Sequence, residues 1–276
     1  MKFFKTVSYG NDFIHVENDG KIPEGDKRKI ELAKKISARH TGPGADGVVF
    51  YRVEGGRPIC EIINRDGSPA EISGNGLSGL AAVLLSTKKF SKEVCVLTPV
   101  GDRSVSLISR DGNRFRLRVE IGNADFNNHS FFPFLRPKDL GYSDQGVTFY
   151  PVSTGNPHVV VDVSKQEYSK TDLEALGRTL AGSNLFPRGT NVEIIRELSS
   201  EECRVFFYER GVGPTESSST GCAAVFAVLR QLGKIKDHLS IRVDYGKIEV
   251  FGDDRIYVEN QSEIVYKGVF PDNGEI

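Results

Sequence analysis

Two stretches decide the reading: Ser73-Gly-Asn-Gly-Leu-Ser-Gly-Leu-Ala-Ala-Val-Leu84 and Ser218-Ser-Thr-Gly-Cys-Ala-Ala-Val-Phe-Ala-Val-Leu229. Each passes from small polar residues into an apolar run, which predicts helices over Gly74–Leu85 and Thr220–Leu232. Helices that are apolar almost all round are buried on most sides. Aligned on their serines, Gly76 falls on Gly221, Ala82 on Ala227, Val83 on Val228 and Leu84 on Leu229. The offset of 145 residues (218 minus 73) is about half of the 276-residue chain, so the sequence predicts an internal duplication. The expected outcome is two similar α+β halves, each with a buried central helix and no Pro/Gly/Ser linker between them.

Outward from these helices, short β-like runs dominate. Val105–Ile121 reads as a hairpin turning at Asp111-Gly112. In its second arm Phe115, Leu117 and Val119 alternate with Arg114, Arg116 and Arg118, the pattern of a strand with one solvated face. Ile241–Val258 repeats the style, punctuated by Gly246 and Gly252. Two more helices are predicted. One spans Asp26–Arg39, with Ile30, Ala33 and Ile36 turned inward. The other spans Thr171–Leu180, with Thr171 and Glu174 at capping-box spacing.

Bulk properties narrow the function. A formal net charge of -1 gives no electrostatic case for nucleic acid or an anionic membrane. No apolar run approaches the roughly 20 residues of a membrane span, and MKFFKTVSYGNDF lacks a signal-peptide core. Cys60, Cys95, Cys203 and Cys222 show neither metal-ligand spacing nor a disulfide framework. A cytoplasmic protein is expected, acting on a small molecule; a homodimer is compatible with the sequence.

The first N–H groups of a helix lack intrahelical partners, and the dipole adds partial positive charge there. Ser73-Gly74-Asn75-Gly76 and Ser218-Ser219-Thr220-Gly221 therefore admit two readings: plain N-caps, or starts that bind a small anion such as an amino-acid carboxylate. Further polar clusters stand at Gly10-Asn11-Asp12-Phe13, Asn64-Arg65-Asp66-Gly67-Ser68, Gly155-Asn156-Pro157-His158, Thr190-Asn191-Val192-Glu193 and Glu209-Arg210-Gly211-Val212-Gly213. Each one alone is most simply a turn, and His158 alone most simply a structural histidine.

Taken together, these segments resemble the diaminopimelate epimerase family. The ordered similarities are GNDF at Gly10, RHTGPGADG at Arg39, NRDGSPAEISGNG at Asn64, TGNPH at Thr154, FPRGTNVE at Phe186, ERGVGPTESSSTG at Glu209 and IVYKG at Ile264. The resemblance implies two quasi-symmetric α+β domains, each a mostly antiparallel sheet wrapped around a central helix, with substrate bound in a cleft between them. The expected domains are 1–118 with 264–276 returning, and 119–263. It implies cofactor-independent inversion at Cα of a diaminopimelate-like amino acid, with no metal, in lysine and cell-wall precursor synthesis. By position, Asn11, Asn64, Asn156, Asn191, Glu209 and Arg210 would hold the distal amino-acid group and the reacting amine. Gly74, Asn75, Ser219 and Thr220 would present N–H groups to the reacting carboxylate, and His158 and Glu209 would support the reacting centre.

The departures fall on the chemistry. The family carries its two proton-transferring cysteines where this chain has Ser73 and Ser218. A thiol ionises near 8.5 and an alcohol at roughly 15 to 16, a gap on the order of 10 kcal/mol in making the base. A helix dipole returns only about 1–2 kcal/mol of that. Gly79 stands where a further cysteine is frequent, Ser78 where arginine is common and Ser219 where glycine is usual. Cys222, one helical turn beyond Ser218, reads as a packing residue. SGNGLSGLAAVLL also resembles a helix start of the phenazine-biosynthesis isomerases, but Asn75 replaces that family's histidine and Ser217 its aspartate; Glu216 and Asp46 are the nearby carboxylates. Three readings stay open: a diaminopimelate-type epimerase, another cofactor-free isomerase or dehydratase of the same fold, and a non-catalytic amino-acid-binding relative.

Overall fold

The same ten elements occur twice, in the same order. In the computed structural model, residues 1–18, 27–135, 141–144, 147–164 and 167–271 are described. Asp26, expected to open the first helix, and 272–276, expected at the end of the first domain, lie outside them. The first series is β1 (Lys2–Ser8), β2 (Asn11–Glu17), α1 (Lys27–Ser37), β3 (Gly47–Glu54), β4 (Arg57–Asn64), β5 (Pro69–Ala70), α2 (Gly74–Ser86), β6 (Glu93–Thr98), β7 (Gly101–Asp111) and β8 (Arg114–Gly122). A short strand, β9 (Tyr142–Asp144), intervenes. The second series is β10 (Val147–Ser153), β11 (Pro157–Asp162), α3 (Lys170–Ala181), β12 (Asn191–Glu197), β13 (Glu202–Glu209), β14 (Gly213–Thr215), α4 (Ser219–Gln231), β15 (His238–Val243), β16 (Gly246–Gly252) and β17 (Ile256–Val269).

Strand pairing repeats with the order. β1–β2 and β10–β11 are antiparallel, and β2–β3 and β11–β12 are parallel. β4–β6 and β13–β15 are parallel too, and the β6–β7–β8 and β15–β16–β17 meanders are antiparallel. Two compact units result, one of Met1–Val119 with the segment from Asn260 onward, the other of Glu120–Glu259. In the first, β17 pairs with β1 from Lys2↔Val269 to Val7↔Glu263, and it also pairs with β8. The sheet thereby closes around α2, whose residues from Gly74 to Leu85 are all buried. In the second unit α4 is buried from Ser219 to Leu229.

The outer helices are amphipathic. α1 packs Leu32, Ala33 and Ile36 on Ile14, Val48 and Ile63. It ends at Ser37, two residues short of the expected Arg39, whose guanidinium is taken up elsewhere (below). α3 begins earlier than the Thr171/Glu174 spacing suggests. Ser169 is its N-cap and accepts from Asp172 N–H at 3.2 Å, while the Asp172 carboxylate accepts from Ser169 N–H at 3.0 Å. The competing Ser-x-x-Asp box wins because both of its orphan donors are satisfied reciprocally. Ser169→Ala is expected to cost about 1 kcal/mol in urea unfolding, and Thr171→Ala close to nothing. The β7–β8 turn sits one residue later than expected, at Gly112-Asn113, with Gly112 in the left-handed region (φ 59°) and Asp111 paired to Arg114. Arg114, Arg116 and Arg118 all face outward.

Beneath α2 lies His15, fully buried, with Nε2 2.8 Å from Thr6 Oγ1. A Cβ on Gly79 would lie 2.3 Å from that Thr6 oxygen and 2.5 Å from His15 Nε2. A side chain at 79 would force this buried pair to shift. Burial depresses the imidazole from 6.5 to about 3. Between those values the unfolded chain binds a proton that the folded one does not, so stability rises with pH across the window. His15→Gln is expected to flatten the dependence of urea midpoint on pH between about 3 and 6.5, removing a slope of up to about 1.4 kcal/mol per pH unit.

Candidate active site

Each unit aims one asparagine at the start of its central helix. In the first, β1 turns into β2 through Tyr9-Gly10, both in the left-handed region (φ 46° and 85°). This two-residue turn pairs Ser8 with Asn11 and swings the Asn11 side chain inward. α2 starts at Ser73, an extended N-cap whose Oγ accepts from Gly76 N–H at 3.1 Å. A directed chain of side-chain amides follows. Asn260 Nδ2 donates to Asn75 Oδ1 (2.8 Å), Asn75 Nδ2 to Asn11 Oδ1 (2.9 Å), and Asn11 Nδ2 to Asp46 Oδ2 (2.9 Å). Asp46 can only accept as a carboxylate, so it fixes the orientation of every amide behind it.

Arg39 holds the far end of this chain. Its Nη2 reaches Asp46 Oδ1 at 2.7 Å and Asp12 Oδ1 at 2.9 Å, and its Nη1 reaches Asp12 Oδ2 at 3.1 Å. Lys5 Nζ adds an ion pair to Asp12 at 2.8 Å. Burial raises the Asp12 carboxyl, but the hydrogen bonds from Arg39 and Lys5 outweigh it and hold the group below the usual carboxylate range. Asp46 moves the other way, pushed up by burial and then by the Asp12 charge. Asn64, the other predicted binding residue of this unit, donates to Ser68 Oγ at 3.1 Å, within its own turn.

The second unit repeats the plan with different chemistry. Ser218 is an extended N-cap accepting from Gly221 N–H at 3.2 Å, and its Oγ lies 3.3 Å from Thr220 Oγ1. Asn156, placed after Gly155 (φ 101°), donates through Nδ2 to Thr220 Oγ1 at 3.4 Å. Its Oδ1 faces His158 Nε2 at 2.8 Å, and His158 Nδ1 faces Glu193 Oε1 at 2.8 Å. Thr154 also donates to the Thr220 carbonyl (3.3 Å). Asn191 is held by backbone groups: one Nδ2 hydrogen goes to Pro157 O (2.8 Å) and Oδ1 accepts Arg210 N–H (2.9 Å). Glu209 Oε1 accepts from Thr215 Oγ1 at 2.6 Å, and Arg210 Nη1 donates to Arg188 O at 3.2 Å.

The predicted residues thus fall into groups. Ser73, Gly74, Asn75 and Asn11 come together in the first unit, and Ser218, Ser219, Thr220, Asn156 and His158 in the second. Glu209, Arg210 and Asn191 assemble around the β13–β14 turn. Asp46, Asn260 and Glu193 complete these networks without having been singled out as site residues. The signal for Asp46 and Glu193 was present in RHTGPGADG and FPRGTNVE; Asn260 had none. Among the described residues, neither serine hydroxyl is hydrogen-bonded to a carboxylate or an imidazole. Cys222 offers no substitute thiolate, because complete burial drives its ionisation well above the usual thiol range.

Comparison with known proteins shows the family of the chain. The diaminopimelate epimerase family model matches residues 3–127 and 150–268. A diaminopimelate epimerase of Carboxydothermus hydrogenoformans is 32% identical, covering 98% of this chain and 99% of its own. One from Desulfitobacterium hafniense is 31% identical, covering 98% of each. Among solved structures, a probable proline racemase from Agrobacterium radiobacter superposes with a TM-score of 0.73 at 17% identity, over 98% of this chain and 93% of that one. A phenazine biosynthesis protein of the PhzF family from Bacillus anthracis gives 0.65 at 15% identity, over 98% and 99%. These last two share the fold. With the family model spanning both halves and relatives above 30% identity end to end, the chain belongs to the diaminopimelate epimerase family.

Proposed function

We propose that this protein is an isomerase that exchanges and inverts the Cα proton of an amino acid of the diaminopimelate type, without a cofactor. The observation that carries this reading is the pair of helix starts. Each is capped by a serine at the family's base position, and each keeps an asparagine hydrogen-bonded to the second residue of its helix. N–H groups at a helix start stabilise a carboxylate whose neighbouring carbon becomes a carbanion, the most costly step of the reaction. Asn64, Asn191, Glu209 and Arg210 supply the polar groups suited to a distal amino-acid end. His158 and Glu209 support the reacting centre.

One observation favours a second reading, an amino-acid-binding relative that no longer moves protons. Both hydroxyls act as N-cap acceptors, and among the described residues neither is hydrogen-bonded to a carboxylate or an imidazole. The test is α-proton exchange in D₂O, followed by NMR, with L,L- and meso-diaminopimelate. Exchange by the unmodified protein that disappears in Ser73→Ala or Ser218→Ala supports the isomerase. Binding without exchange discards it in favour of the binding protein.

A further inference from the structure

The two units repeat their topology but fill the groove beside the outer helix differently. Phe13 pairs with Gly47 as His158 pairs with Asn191, both in parallel ladders. At that offset of 144 residues (191 minus 47), Phe50 corresponds to Ile194 and Arg52 to Arg196. Antiparallel pairing then sets Glu61, opposite Phe50, on Phe206, opposite Ile194, and Ile59 on Arg204. In the helices the same offset sets the buried Ile36 on the buried Leu180, and so Lys29 on Leu173.

In the first unit the chain plugs this groove itself. Lys29, its side chain 2% exposed, pairs with Glu61 at 2.6 Å and lies 5.8 Å from the centre of the Phe50 ring. The cavity left beside them is about 10 Å³, room for about one water. In the second unit Leu173 and Phe206, both half-buried, stand in place of the ion pair. There a cavity of about 340 Å³ opens, the size of a small-molecule site, and its described lining lies wholly within Glu120–Glu259. None of that lining belongs to the residues assigned above to the substrate. The lining has a polarity. Leu173, Ile194 and Phe206 give it an apolar wall, and the exposed Lys170, Arg196 and Arg204 bring positive charge to its edge. Arg204 pairs with Asp244 at 2.5 Å, and Glu216 is the other carboxylate of the lining. Arg52 in the first unit is paired with Glu54 at 2.5 Å, but the position of Glu54 is Leu198 here. Three cations therefore face two carboxylates beside an apolar wall.

We infer that this cavity is a second binding site, for a small organic monocarboxylate with an aromatic or branched apolar body. One negative charge on the ligand balances the surplus positive charge of the lining, and the planar guanidinium of Arg196 suits a carboxylate. The apolar body takes the space against Leu173, Ile194 and Phe206 that Lys29 and Glu61 occupy in the first unit. The inference does not depend on the function proposed above.

The experiment is titration of the full chain with 3-phenylpropionate, followed by ¹H–¹⁵N NMR, with the neutral 3-phenylpropanamide as control. Saturable shifts should centre on Leu173, Ile194 and Phe206. The amide should bind at least about tenfold more weakly, the loss of one charge-assisted hydrogen bond. Arg196→Gln should weaken the acid by a similar factor and leave the amide unchanged. Leu173→Lys/Phe206→Glu copies the first unit's ion pair into the groove and should abolish binding. If that double variant does not fold, Arg196→Gln, at the exposed edge, decides alone. Absent binding, equal affinity for acid and amide, an acid affinity unchanged in Arg196→Gln, or shifts centred on the Ser218 helix start instead would each overturn the inference.

Discussion

Ser73→Cys/Ser218→Cys should raise α-proton exchange from diaminopimelate by at least about a thousandfold over the unmodified protein, since acid–base groups matched to the operating pH contribute factors of this size and more. Both positions already have the geometry a thiol needs. Each is an extended N-cap with φ near −140° whose γ atom meets a backbone N–H. That N–H and the helix dipole favour an anion at the γ atom. The limiting quantity is the intrinsic ionisation of the atom, and replacing oxygen with sulfur recovers most of an approximately 10 kcal/mol deficit in forming the base. Single cysteine variants should gain much less, since inversion needs a removing and a delivering group. Initial exchange rates in D₂O for the four proteins provide the check. No gain in the double variant would show that the surrounding recognition residues no longer hold substrate for the reaction.

Gly221→Ala is expected to be clearly destabilising, while its counterpart Gly76→Ala should be nearly neutral. Alanine gains up to about 1 kcal/mol over glycine in a helix, so the sign depends on the neighbours. At 76 the new Cβ meets Ser73 side-chain atoms at 3.3–3.4 Å and a Val49 methyl at 3.4 Å, contacts that ease with small adjustments. At 221 it meets Glu193 Oε1 at 2.6 Å and Cδ at 3.1 Å. Glu193 has nowhere to retreat: it is fully buried, and the same oxygen is bonded to His158. Overpacking of this kind costs about 1–3 kcal/mol, with the penalty of a broken buried pair added. Thermal unfolding of the two variants should show a clearly lowered midpoint for Gly221→Ala alone. Equal midpoints would contradict the close approach of Glu193 to α4.

The duplication was legible because both central helices are apolar almost all round and share a glycine at one matching position, Gly76 and Gly221. The outer helices were found through periodicity, but their ends were not. Thr171/Glu174 and Ser169/Asp172 both satisfy the spacing of a capping box, and only the course of the backbone chooses between them. The family was readable from seven ordered motifs. What spacing could not show was connection. Asn260 lies 185 residues from Asn75, and nothing local marks it as part of the site. Glu193 sits inside a motif that was noticed, yet its partner His158 is 35 residues away on a parallel neighbour. Hydrogen-bond direction is a property of the assembled network and has no signature in residue order.

β17 gives the first unit a late birth. Residues 1–119 include most of that unit, but the strand that pairs with β1, and Asn260 at the head of the amide chain, come from beyond the whole second unit. The second unit is one continuous segment, 120–259. On the ribosome its contacts are all in hand while the first unit still shows the β1 edge on which β17 will pair, an exposed template for mispairing. The half made first is thus finished last, and the interval between them is set by the rate of translation.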